Sequence, residues 1–166
     1  YSDIIVGADG YSNGQSTEGM AFVYVGSASG LATTTAWTGE GNQASANYGW
    51  SVGSAGDVNG DGYADIVVGA LTYDNGQTDE GRAYVYVGSS SGLAATTAWL
   101  QESNQISAQF GVLVGSVGDL NGDGYSDVGV AANLYDNGQT DEGEAFVYFG
   151  SSSGLATTTG WTGESN

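Results

Sequence analysis

The chain repeats itself every 62 residues, and that period limits what it can become. Tyr1-Ser2-Asp3-Ile4-Ile5-Val6-Gly7-Ala8 returns as Tyr63-Ala64-Asp65-Ile66-Val67-Val68-Gly69-Ala70 and again as Tyr125-Ser126-Asp127-Val128-Gly129-Val130-Ala131-Ala132. Trp37, Trp99 and Trp161 fall at the same offset. The 166 residues hold about two and two-thirds copies. They divide into 1–46, an incomplete repeat without its first strand; 47–108, a complete one; and 109–166, near-complete. A unit of this size cannot bury its apolar faces alone, so the period predicts a stacked array such as a propeller.

Within one period, Gly and Asn-Gly punctuation separates short runs of β-type residues. The spacing predicts a first strand over Tyr48–Ser54, repeated at Phe110–Ser116, and a second over Asp65–Ala70. A polar turn from Asp74 to Gly81 leads to a third strand, Arg82–Gly88, apolar on both faces as in a sheet covered on both sides. Ser89–Thr97 reads as a loop, and a fourth strand begins near Trp99. Nothing reads as a helix. The expected fold class is all-β, with four-stranded antiparallel sheets stacked as propeller blades.

Between the first two strands lies Asp57-Val58-Asn59-Gly60-Asp61-Gly62-Tyr63-Ala64-Asp65, repeated as Asp119 through Asp127. Both copies read D-x-N-x-D-G-x-x-D. Oxygen donors at alternate positions around a tight Gly turn suit a hard cation, and Ca2+ takes roughly six to eight oxygens. The expected ligands are Asp57, Asn59, Asp61, the Tyr63 carbonyl and Asp65, then Asp119, Asn121, Asp123, the Tyr125 carbonyl and Asp127. Two Ca2+ sites are expected. The alternative is an ordinary Asp/Asn/Gly-rich turn. Asp3 is the remnant of a third loop whose other donors would precede Tyr1.

Composition narrows the chemistry. Nineteen acidic residues face a single cation, Arg82, for a formal charge of -18. Nucleic acid is not an expected partner, since phosphate binding needs Lys and Arg. The chain has no His, Cys or Lys, so the usual nucleophiles and bases are missing, as are the preferred zinc ligands. Paired acids can cleave glycosides, but here the loop acids are assigned to metal and no active site is expected. No apolar run is long enough to span a bilayer. The chain opens at Tyr1 without an initiator Met, so it reads as processed, excised or part of something longer.

The string Tyr48-Gly49-Trp50-Ser51-Val52-Gly53, the D-x-N-G-D-G-x-x-D loop and Ile66-Val67-Val68-Gly69-Ala70 together resemble the FG-GAP repeat. Phe110-Gly111 matches the family's "FG" and Gly69-Ala70 its "GA"; Leu71 replaces the usual Pro, and the last copy reads Ala131-Ala132-Asn133. That repeat builds the β-propeller head of integrin α subunits and occurs in many bacterial surface proteins. The resemblance implies the same ligand positions, an extracellular or cell-surface setting, and a ring of about seven blades. A ring of that size means further blades in the same or a neighbouring chain. The implied function is a calcium-stabilised structural or adhesive module with a protein or glycan ligand. The alternative is a calcium-dependent, lectin-like carbohydrate-binding module using Trp37, Trp99 and Trp161. Packing between blades is the other use for those tryptophans and for Tyr84 and Tyr86. The Asp74–Glu80 and Asp136–Glu142 turns read as solvated loops, with a second cation site as the alternative. The Ser/Thr-rich loops, Thr33-Thr34-Thr35 among them, read as flexible linkers or as sites for O-linked sugar.

Overall fold

The computed structural model describes residues 1–164; the last two residues of the third repeat lie outside that range. The described residues contain no helix. In the first repeat β1 (Ile4–Ala8), β2 (Met20–Tyr24) and β5 (Trp37–Glu40) form a three-stranded sheet in the order β1-β2-β5. A two-residue ladder, β3 (Gly26–Ser27) with β4 (Gly30–Leu31), stands beside it where a loop was expected. The second repeat supplies β6 (Tyr48–Gly56), β7 (Asp65–Ala70), β8 (Arg82–Tyr86) and β9 (Trp99–Glu102), each antiparallel to the next. The third repeats that pattern with β10 (Phe110–Gly118), β11 (Asp127–Ala132), β12 (Glu144–Tyr148) and β13 (Trp161–Glu164).

Both long first strands run two residues past the expected end and are irregular at the same places. The register shifts between Tyr48 and Ser51 and again between Ser54 and Gly56, and likewise at Phe110/Leu113 and Ser116/Gly118. These bulges bend the strand. They keep Gly56 opposite Asp65 and Gly118 opposite Asp127, so each D-x-N-x-D loop is spanned by a closed hairpin.

The alternation of side chains along a strand explains why the middle sheet is apolar on both faces. Ile66, Val68, Tyr84 and Tyr86 point to the first sheet and join Ala21, Val23, Trp37 and Tyr48 in one core. Val67 and Val85 point the other way, packing with Phe110, Val114, Val128, Phe146 and Tyr148. Three sheets thus enclose two cores and are not closed into a ring. Trp37 and Trp99 are buried between sheets, as expected of packing residues. Their indole Nε1 groups donate to the carbonyls of Ala94 at 2.9 Å and Ala156 at 2.8 Å, each 57 residues onward. Each indole also meets a tyrosine edge, Tyr86 or Tyr148, at 4.8 Å. Trp161 breaks the pattern: it is 55% exposed on the outer face of the third sheet.

Candidate metal centre

The loop between β6 and β7 is held in shape by its own acid side chains. Asp57 Oδ1 accepts the backbone N–H of Gly60 at 2.7 Å and of Asp61 at 3.1 Å, while its Oδ2 accepts Gly62 N–H at 2.8 Å. Asn59 Oδ1 accepts Asp61 N–H, and Asp61 Oδ1 accepts Tyr63 N–H, both at 3.0 Å. Each donor side chain therefore closes a short turn, which wraps the backbone around the Asp57 carboxylate. Gly60 and Gly62 take φ of +74° and +87°, conformations that a side chain would strain.

The second copy repeats this bond for bond. Asp119 accepts from Gly122, Asp123 and Gly124 at 2.7, 3.0 and 2.8 Å. Asn121 and Asp123 close the next two turns at 3.0 Å each. Asn59 and Asn121 donate their side-chain amides to Asp61 at 3.1 Å and Asp123 at 2.9 Å.

Asp65 and Asp127 stand apart from the other donors. Both are fully buried. Asp65 Oδ2 accepts Val58 N–H at 2.9 Å and Oδ1 accepts Gly88 N–H at 2.7 Å. Asp127 does the same with Leu120 at 2.8 Å and Gly150 at 2.9 Å. The last acid of each motif thus ties the loop to the far end of the third strand, a role the motif alone did not disclose. Asp3 keeps half of this arrangement, accepting Gly26 N–H at 2.8 Å. Burial raises the Asp65 pKa above its ordinary value; the two N–H donors oppose that rise, and the charges of Asp61 and Asp57 reinforce it.

Among the described residues no group of three or more acids stands at metal-ligand spacing. The donor set nevertheless suits Ca2+ in kind: three carboxylates, one amide and one backbone carbonyl per loop, all oxygen.

The loops also fasten neighbouring sheets. Val58, between two donors, is 1% exposed and plugs the core between the second and third sheets. Asp57 N–H donates to Ser126 Oγ at 3.1 Å, Ser126 N–H to the Asp57 carbonyl at 2.9 Å, and Ser151 N–H to the Val58 carbonyl at 3.1 Å. The cleft between these sheets has a volume of about 270 Å³. A cleft between the first and second sheets measures about 730 Å³ and is lined by Tyr1, Ile5, Trp37, Asp65 and Leu93.

The Asp74–Gly81 turn is not simply solvated. Glu80 is fully buried and accepts Asn75 N–H, and Glu18 holds Asn13 N–H in the same way at 2.6 Å. Gln43 clamps the turn from the preceding linker, taking Asp74 N–H and donating to the Asp74 carbonyl. A carboxylate buried among backbone donors shapes the turn, which is why this Glu persists where the neighbouring acids do not. Arg82 spends its charge on Glu102 and lies 4.0 Å over the Tyr73 ring. Trp37 and Trp99, being buried, offer no face for a sugar; the exposed indoles are Trp161 and Trp50, the latter not singled out from sequence.

Comparison with known proteins identifies similar sequences. Residues 48–86, from the start of β6 to the end of β8, match the FG-GAP repeat family. Integrin alpha-IIb of Mus musculus is 35% identical over 122 residues, covering 70% of this chain and 12% of that protein. Integrin alpha-6 of Homo sapiens is 34% identical over 119 residues, covering 71% of this chain and 10% of the relative. Integrin alpha-PS2 of Drosophila melanogaster is 35% identical over 121 residues, covering 69% and 8%. The matched segment thus spans only about a tenth of these relatives' length. The chain carries an FG-GAP repeat over residues 48–86 and is similar to integrin alpha subunits over about 70% of its sequence.

Proposed function

We propose that this chain is a calcium-stabilised repeat module of an extracellular or cell-surface protein. Its job is structural or adhesive, and its ligand is a protein or glycan met through the loops and edges of the blades. Residues 1–46, 47–108 and 109–166 act as successive blades of one propeller domain or a part of one, with other blades of the same kind in the same or a neighbouring chain. The observation that carries this reading is the pair of loops at Asp57–Asp65 and Asp119–Asp127, wrapped by matching hydrogen bonds, the first also anchored between the second and third sheets. Asp57, Asn59, Asp61, the Tyr63 carbonyl and Asp65 hold one ion; Asp119, Asn121, Asp123, the Tyr125 carbonyl and Asp127 hold the other. When bound, Ca2+ supplies a positive centre that these carboxylates share, offsetting their mutual repulsion. The loop's own residues then fix the β6–β7 and β10–β11 connections and, through Val58 and Ser126, the distance between blades. Extracellular modules of this type bind at roughly 10⁻⁴ to 10⁻³ M.

Thermal unfolding in millimolar Ca2+ and in excess chelator tests the reading. The expected result is a markedly lower Tm in chelator, with Asp61→Ala and Asp123→Ala each reproducing part of the drop in calcium. Superimposable curves in the two conditions would sink it. Binding to a glycan array that requires calcium would identify the ligand class as carbohydrate.

A further inference from the structure

At each of the two sheet-to-sheet junctions a glycine of the second or equivalent strand lies against the backbone of the next sheet. A Cβ placed on Gly7 would fall far inside 3.0 Å of the Gly49 carbonyl oxygen and 2.9 Å from its carbon. A Cβ on Gly69 meets the Gly111 carbonyl in the same way, again with the carbon at 2.9 Å. Real Cβ atoms essentially never approach other heavy atoms within 3.0 Å. Both obstacles are backbone of the next sheet's first strand, so no rotamer change relieves them. In the third sheet the equivalent position is Ala131.

We infer that Ala131 closes the outer face of the third sheet to a further repeat docked in the geometry of the first two junctions. A following FG-GAP strand would bring its glycine carbonyl onto the Ala131 methyl. It would have to stand off by roughly 1 Å or more, enough to lose the close packing that makes a junction. The face remains otherwise apolar, with Leu113, Leu120 and Trp161 each more than half exposed. A repeat is thus refused by one methyl group and not by a polar surface.

A second glycine shows that this is specific. Gly19 and Gly81 also approach the next sheet's backbone, at the Tyr48 and Phe110 carbonyls, and their counterpart Gly143 is retained. Those three take φ of +81°, +77° and +74°, so the turn requires glycine whether or not a neighbour follows. Gly7 and Gly69 carry no such requirement, since their φ lies outside the left-handed region. The position whose glycine serves only the junction is the one that has changed. Position 131 therefore sets where regular stacking stops, or changes pitch, in an array of these repeats.

The test extends the full chain after Glu164 with a further copy of residues 103–164, carrying either Ala131 or Ala131→Gly. Trp161 is the reporter, labelled as 5-fluorotryptophan and assigned by Trp161→Phe. With Ala131→Gly the added repeat docks, and the Trp161 ¹⁹F resonance moves into the range of buried Trp37 and Trp99. With Ala131 it stays at the position seen in the unextended chain. Equal burial of Trp161 in both extended chains overturns the inference, and so does exposure in both. The unextended chain gives a second arm: Gly69→Ala is expected to shift the Trp37 and Trp99 signals unequally, the change falling on Trp99 at the second junction. No change at Trp99 would also overturn it.

Discussion

Asp65→Ala, measured without calcium, separates the two roles that the structure gives to the acids of one loop. Asp65 accepts two buried backbone N–H groups, from Val58 and Gly88. Hydrogen bonds to a charged group contribute about 1.5–3 kcal/mol each, and removing the acceptor leaves both donors buried and unpaired. Against this, the substitution relieves the desolvation of a fully buried carboxylate, the same burial that raises its pKa. The net expectation is a loss of about 3 kcal/mol, which with a urea m-value near 2 kcal/mol/M lowers the midpoint by about 1.5 M. Asp65→Asn keeps one acceptor oxygen and should fall between. Asp61 is exposed and accepts one backbone N–H, from Tyr63, so Asp61→Ala in chelator should stay within about 1 kcal/mol of the parent. Adding calcium should stabilise the parent most, since each variant keeps only the Asp119–Asp127 loop, and widen both gaps. If Asp65→Ala and Asp61→Ala unfold at the same urea concentration in excess chelator, the assignment of Asp65 as a structural tie is wrong.

Other consequences concern the cores. Burial, followed by the neighbouring Tyr86, pushes the Tyr48 phenol far above its usual pKa of 10.0, and burial also raises Tyr84. The native state then keeps these protons at a pH where the unfolded chain releases them. Their contribution is complete below about pH 10 and is lost as pH climbs further. Tyr48→Phe, which places in the second sheet the ring that Phe110 gives the third, removes the 3.0 Å bond to Tyr86. It should cost about 1 kcal/mol at pH 8 and flatten the loss of stability toward pH 10.5; urea midpoints at the two pH values check both. Trp99→Phe strips the Ala156 carbonyl of its donor and thins the second junction, for about 1–3 kcal/mol, whereas Trp161→Phe should stay within about 0.5 kcal/mol. Equal effects of these two substitutions by calorimetry would contradict the placement of the sheets.

Much of this architecture was legible because the repeat states it nearly three times. The 62-residue period points to stacked sheets, and apolar residues on both faces of Arg82–Gly88 point to a strand covered on both sides; the strand itself ends earlier, at Tyr86. The second strand came out at Asp65–Ala70, as its pattern predicts. What stayed hidden depended on neighbours. The register shifts that lengthen β6 and β10 answer the pairing with β7 and β11, which single-strand periodicity does not contain. Asp65 reads as one more donor in a motif, and only the chain's return at Gly88 reveals its second duty. Glu80 looks like part of an acidic, solvated turn until the loop folds over it. Asn47 and Gln109 precede the first strands at φ of +51° and +56°, which neither side chain announces. Trp161 matched Trp37 and Trp99 by position, yet burial came from the sheet that follows, not from the tryptophan.

Counting ions tests the account most directly. Native mass spectrometry of the intact chain, titrated with Ca2+, should show two bound ions, one after Asp123→Ala, and none after Asp61→Ala with Asp123→Ala. Isothermal titration should return the same stoichiometry, with affinities of roughly 10⁻⁴ to 10⁻³ M. A parent chain that binds no calcium at several millimolar, or a double variant that still binds two ions, would contradict the claim that the D-x-N-x-D-G-x-x-D loops are the metal sites.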